Sequence, residues 1–341
     1  MTGVASKCPR MTRCNPVAGL IGTAFLAFAC GQPPDGPDQA LAYADRVETL
    51  LGVEGASAET TVKFPRRRDR MHAIEPVRVS LGQWSDLEDC EAGGLIAQAN
   101  SPLGKVRSTF ERVRHSHALV AALDHCHDTM TEEEWEAFQP DREQKADQLD
   151  EERWNAFWVS EVVERSLGRT TPLAASLRSG AFEHWTQLLS AVDPEGKGTI
   201  DSDQWYTSEA ALDKAAGVGE AFQFMVSTTA GLNRVAAAID LSRSRRDVCM
   251  RKDREVLAVM RGHYANKLQP LMAKGDATLR GSTQALTTAI ASLQPSDGVP
   301  SGMRAWVDQW GGNRAFKEYR AATRRHAAAI GRLMDACGET L

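Results

Sequence analysis

The residues from Asp193 to Gln204 carry the spacing of a calcium-binding loop. Acidic side chains stand at positions one and three (Asp193, Glu195), glycine at six (Gly198), isoleucine at eight (Ile200) and an acid at nine (Asp201). Asp193, Glu195 and Asp201 are therefore candidate metal ligands. Two positions oppose that chemistry. Lys197 occupies a place that needs an oxygen ligand, where its ammonium repels a cation, and Gln204 replaces the bidentate glutamate. A tight turn between two helices is the competing reading. A second metal candidate is the set His115, His117, His125 and His127. At about 100° per residue on a helix these side chains point to about 0°, 200°, 280° and 120°, so they share no face. A zinc ion needs converging ligands, and these diverge.

Anion chemistry is suggested by Arg66, Arg67 and Arg68, followed by Arg70, since guanidinium forks match oxyanions. In an acidic chain the same arginines can simply pair with acidic helices. Asn100, Lys105, Trp154 and Asn155 complete the ligand-binding candidates. Asn100 reads first as a residue that caps a helix or orders a turn. Trp154/Trp158 and Trp306/Trp310 are i,i+4 pairs, which read as core, with an exposed sugar-stacking shelf as the alternative. No catalytic residue is identified. The chain lacks G-x-S-x-G, H-E-x-x-H and G-x-x-x-x-G-K-[ST], and Gly217-Val218-Gly219 lacks a third glycine. Scattered carboxylates pairing across a cleft would suit glycan hydrolysis. No cofactor is implied.

The N-terminus carries an address. Lys7, Arg10 and Arg13 precede an apolar run from Val17 to Phe28, and no acid occurs before Asp35. Crossing a bilayer takes roughly 20 apolar residues, so the run suits the core of a signal peptide better. Residues 1–29 are read as that signal. Ala29-Cys30 fits a lipoprotein site, with Cys30 the lipidated residue. Ala27-Phe28-Ala29 also fits an ordinary signal-peptidase site, and both enzymes would cut the same bond. Residues 30–38, rich in proline and glycine, are a short tether. Several acyl chains on Cys30 would hold the protein to a membrane durably. Gly31, rather than Asp, favours the outer membrane facing the periplasm; a soluble periplasmic protein is the alternative.

Cleavage leaves 312 of 341 residues and takes the formal net charge from −5 to −8. Mild acidity argues against nucleic acid as a partner. With Cys8 and Cys14 removed and lipid on Cys30, four cysteines remain: Cys90, Cys126, Cys249 and Cys337. Four is the count two disulfides require in an exported chain. Three connectivities are possible. Cys90–Cys126 and Cys249–Cys337 would each clip one helical half to itself, and buried free thiols are the other reading.

These residues must be positioned by helices. Asp38–Leu51 places Leu41, Ala44, Val47, Leu50 and Leu51 on one stripe. A loop-rich segment, Gly52 to Val79, follows. Ser80 with Gln83 and Thr131 with Glu134 are capping boxes, the first opening a short helix that carries Trp84, Leu87 and Cys90. Helices are expected over Cys90–Ala99, Val106–Cys126, Asp141–Leu167 with Gly168 as a left-handed stop, Leu173–Val192, Asp203–Ala216 and Glu220–Ser242. Val248–Leu293 reads as two stretches kinked or separated at Pro270. A short helix carries Trp306 and Trp310, and a last one spans Asn313–Ala336. No credible set of alternating strands occurs. The expected fold is all-α, a multi-helix bundle-like domain over 39–341, with possible halves 39–168 and 173–341.

Several segments occur together in order: Phe64-Pro65-Arg66-Arg67-Arg68-Asp69, Cys90, Asn100-Ser101-Pro102-Leu103-Gly104-Lys105-Val106, and Trp154-Asn155. They resemble the proteobacterial lipoprotein family DUF3080, a domain of unknown function. His263-Tyr264, Gln269-Pro270-Leu271 and the ending from Trp306 to Cys337-Gly338 are similar as well. The resemblance spans nearly the whole mature chain and implies a lipoprotein, with no assigned activity. The expectation is a lipid-anchored binding or scaffolding module, with an envelope protein or glycan as partner. An envelope-glycan or lipid-processing enzyme with paired carboxylates is the alternative.

Overall fold

The computed structural model describes residues 36, 38–53, 63–78, 80, 82, 85, 87, 90–192, 200–244 and 248–339. The signal, Cys30, Gln83 and Trp84 of the first capping box, and Asp193 and Glu195 lie outside them. The described part is all-α, with no strand. No described helix is long and apolar enough to cross a membrane.

The chain enters through α1 (Gln39–Leu51) and passes a single helical turn, α2 (Arg67–Arg70). It continues through α3 (Glu91–Asn100), α4 (Pro102–Lys105), α5 (Thr109–Cys126) and α6 (Glu132–Asp147). The Thr131–Glu134 capping box opens α6 as expected, its two side chains each bonding the other residue's backbone N–H. The expected helix over Asp141–Leu167 is instead the end of α6, then α7 (Leu149–Trp158) and α8 (Glu161–Leu167). Trp154, Ala156, Phe157 and Trp158 and then Val162 and Val163 are all buried. One straight helix cannot aim so wide an arc at one core, and the bend at Val159–Ser160 re-aims it. Gly168 stops α8 in an extended conformation (φ −70°, ψ 161°), not the left-handed one expected.

Leu173–Val192 is likewise divided, into α9 (Leu173–Ser176) and α10 (Ala181–Val192). Between them the Ser179 hydroxyl donates to the carbonyl of Ala216 and accepts from the Ala181 N–H at 3.2 Å. Then come α11 (Ser202–Lys214), α12 (Gly219–Arg243) and α13 (Arg251–Val259). A π-helical stretch, Met260–Leu268, joins α13 directly to α14 (Gln269–Ser292). Pro270 therefore stands in the first turn of α14, directly after the π-helical stretch, and does not interrupt the run of helix. Widening the turn leaves a backbone N–H without its usual carbonyl, and proline has none to lose. The chain closes with α15 (Arg304–Trp310) and α16 (Arg314–Cys337).

The main core is built on α12, which packs against α1 and α16. Gly231 makes the first crossing possible, because a Cβ there would strike the Ala40 backbone. The main cluster draws residues from both sides of 168–173, from Ala40 and Trp154 to Leu232 and Leu333. A separate, smaller cluster joins Leu87, Ala92, Ala122, Leu123, Cys126 and Phe138. Cys90 pairs with Cys126 and Cys249 with Cys337, at Cα separations of 5.9 Å and 5.0 Å. The first pair ties the start of α3 to the end of α5 within the smaller cluster.

Candidate functional site

A cleft of about 920 Å³ opens over the smaller cluster. Its apolar surface comes from Ile96 of α3, Leu119 and Leu123 of α5, and Phe138 of α6. Arg78, Arg107, Arg112 and Lys145 bring four cationic side chains to its walls, and Asp141 and Glu152 bring two carboxylates. Lys145 and Glu152 meet in an ion pair at 2.5 Å, with the Glu152 side chain 6% exposed. The other oxygen of Glu152, Oε2, is buried and has no hydrogen-bond partner among the described residues. His115 also lines the cleft, one ring nitrogen 2.9 Å from the Leu95 carbonyl. Burial pushes its pKa below the ordinary value. The nearby charges of Arg107, Lys145 and Arg114 add to that, and the Leu95 hydrogen bond opposes it.

The turn after α3 forms part of the wall through Asn100 and Gly104. Ser101, not Asn100, caps α4: its hydroxyl accepts from the Gly104 N–H at 3.0 Å and donates to the Gln98 carbonyl at 2.8 Å. Asn100 is exposed at the end of α3. Gly104 lies so close to the carbonyls of Gln98 and Ala99 that no side chain fits. The tight turn leaves Leu103 and Val106 exposed at 80% and 77%, on either side of Lys105.

Trp154 and Asn155 hold a neighbouring stretch of backbone. Trp154 is wholly buried, and its indole N–H donates to the Arg70 carbonyl at 2.7 Å. The Asn155 amide accepts from the His72 N–H at 2.9 Å and donates to the His72 carbonyl at 3.0 Å. Together they pin the segment 70–72 to α7 as a neighbouring strand would. The arginine run divides by role. Arg66, Arg67 and Arg68 are exposed, whereas Arg70 is buried, pairs with Glu164 at 2.6 Å and lies 4.4 Å from the Phe64 ring centre. Desolvation lowers the Arg70 pKa, and the Glu164 partner opposes that shift. Arg67 faces a second cleft of about 640 Å³, shared with Arg107 and Arg165 but also with Glu161, Glu209 and Asp213. The four arginines thus do not converge on one anion.

No group of three or more metal-binding side chains occurs among the described residues. Asp201 accepts from the Gln204 N–H at 2.9 Å and caps α11. The four histidines of α5 and its end go separate ways. His117 meets Arg153 at 3.3 Å, His125 the Ala121 carbonyl at 2.7 Å, and the His127 ring lies 4.5 Å from that of Trp135. Trp306 and Trp310 are buried, so neither tryptophan pair forms an exposed shelf.

Sequence reasoning singled out Asn100 in the cleft but missed Arg78, Arg107, Arg112, Lys145 and Glu152. Arg107 just before α5 and Arg112 in its first turns, close together in sequence, were the available signal. Lys145 and Glu152 lie on different helices, and nothing local announces that they meet.

The model of a family described as protein of unknown function, DUF3080, matches residues 41–341. No curated protein and no solved structure matches the chain.

Proposed function

The chain belongs to the DUF3080 family, and we propose that it is a lipid-anchored cell-envelope protein whose helical domain binds an envelope component in the cleft beside Asn100. Cys30 carries the lipid in this reading, and Gly31 directs the protein to the outer membrane, with the domain facing the periplasm. The cysteine count supports the exported location, because the four cysteines beyond Cys30 are brought together as two pairs.

One observation carries the binding role: a cleft with an apolar surface, four cations and a buried unpartnered carboxylate oxygen, built on a disulfide-braced part of the domain. Concave, mainly apolar sites with a few convergent polar groups are the usual form of ligand pockets. The test has two parts. Metabolic fatty-acid labelling is expected on the native chain and absent from Cys30→Ser. Crosslinking in intact cells is expected to capture an envelope component on the native protein; a chain that neither takes label nor crosslinks contradicts the reading.

A second reading has its own observation. Asp141 and Glu152 both line the cleft, as a glycan- or lipid-processing enzyme using paired carboxylates would require. It predicts turnover of an envelope substrate that Asp141→Asn and Glu152→Gln each abolish while binding survives.

A further inference from the structure

We infer that the cleft takes a single-chain anionic lipid, with its acyl chain along Ile96, Leu119, Leu123 and Phe138 and its phosphate or carboxylate among Arg78, Arg107 and Arg112. This rests on the binding reading above and names the ligand class of that site.

Three features converge on it. The first is the apolar surface. Ile96, Leu119, Leu123 and Phe138 belong to the smaller core cluster yet face the cleft, so an occupying chain would extend that cluster rather than cross a polar wall. Removing apolar area from water is favourable in proportion to that area, which rewards a chain over a compact polar ligand. The second is charge. In a chain of net charge −5, the cleft gathers four cations against two carboxylates, and one of those carboxylates is already paired with Lys145. Arg78 and Arg112 are exposed at the rim, where they can meet a headgroup without losing their own hydration first.

The third is Glu152. Its Oε2 is buried without a partner, and a buried acceptor left unmade is destabilising. A ligand hydroxyl would supply the missing donor. A glycerol headgroup has one; an ionised fatty acid does not. Leu103 and Val106 are exposed next to the cleft residues Gly104 and Arg107, with Lys105 between them. Residues of that pattern suit contact with an anionic bilayer, the source of such a ligand.

The experiment uses the full chain in phosphatidylcholine nanodiscs and three photoreactive palmitoyl probes: lysophosphatidylglycerol, free palmitate and uncharged monoacylglycerol. The anionic probes are expected to label the peptides spanning residues 91–126, and the uncharged probe at least tenfold less. The paired substitution Arg107→Glu/Arg112→Glu is expected to lower anionic labelling at least tenfold. Ile96→Trp fills the cleft without changing charge and is expected to do the same, with an unchanged melting temperature as the folding control. Equal labelling by the uncharged probe, labelling elsewhere, or no response to either variant overturns the inference. Glu152→Gln separates the sources: loss of the lysophospholipid label alone assigns the glycerol lipid, and equal labelling by both anions assigns the fatty acid. If the probes fail while crosslinking in cells persists, this ligand class falls and the binding reading stands.

Discussion

The core around α12 and the region from Leu87 to Glu152 are held together by different means. In the first, long helices bury a continuous apolar cluster that holds paired polar groups and unpaired ones alike, Thr228 Oγ1 and His326 Nδ1 being unpaired among the described residues. Glu48 accepts from the Arg234 Nε–H at 2.9 Å, and the Tyr43 hydroxyl meets His326 Nε2 at 3.0 Å. In the second, a cluster of few residues relies on the Cys90–Cys126 pair, and Glu152 keeps one buried oxygen unmatched. The first region rests on extensive apolar burial; the second joins a smaller cluster to a disulfide pair beneath an open, charged cleft. Lower local stability is where binding surfaces are commonly drawn from.

The contrast can be broken from its strong side first. Trp154→Ala removes a fully buried indole and its hydrogen bond to Arg70. It should cost about 3–5 kcal/mol in denaturant unfolding and release the segment 70–72. A loss below about 1 kcal/mol would show that α7 is not anchored in the main core.

Next is His326, 1% exposed, whose pKa burial pushes down to about 4 from an ordinary 6.5. Its folded pKa lies below its unfolded one, so between pH 6.5 and 4 the unfolded chain binds more protons. Stability should therefore fall as pH drops through that window, by about 3 kcal/mol at its lower end. His326→Leu should flatten that part of the profile. An unchanged slope would assign the acid sensitivity to other groups.

On the weak side, Cys90→Ser/Cys126→Ser should cost about 2–4 kcal/mol. Amide hydrogen exchange should show the loss confined to residues 87–138, with α12 still protected. Uniform loss would mean that the two regions unfold as one. Smallest of all, Thr131→Ala removes the capping box of α6 and should cost about 1 kcal/mol, read as faster exchange in its first turn.

The parts legible in the sequence were those specified locally or by counting. The Thr131–Glu134 box needs four consecutive residues, helical periodicity needs two turns, and the disulfide framework needs an even number of cysteines. The role of Arg70 was not legible beside three exposed arginines, because its burial depends on Glu164 and Trp154, far along the chain. Trp154-Asn155 looked like a ligand-binding pair, since a motif reveals importance without telling packing from binding. The cleft itself was hidden for the same reason: residues 76–78, 96–107, 112–123 and 138–152 form it only after folding. Breaks such as Val159–Ser160 were missed because the apolar residues run on across them, with Phe157 and Trp158 before and Val162 and Val163 after.

The central claim is that the cleft, not the helical surface at large, meets an envelope component. A photocrosslinking residue placed at Ala97, exposed in the cleft, can be compared in intact cells with one at Ala328, exposed on α16. The account predicts a discrete adduct from Ala97 that disappears with Arg107→Glu/Arg112→Glu, and none from Ala328. The same adduct from both positions, or an Ala97 adduct indifferent to the charge reversal, would contradict it.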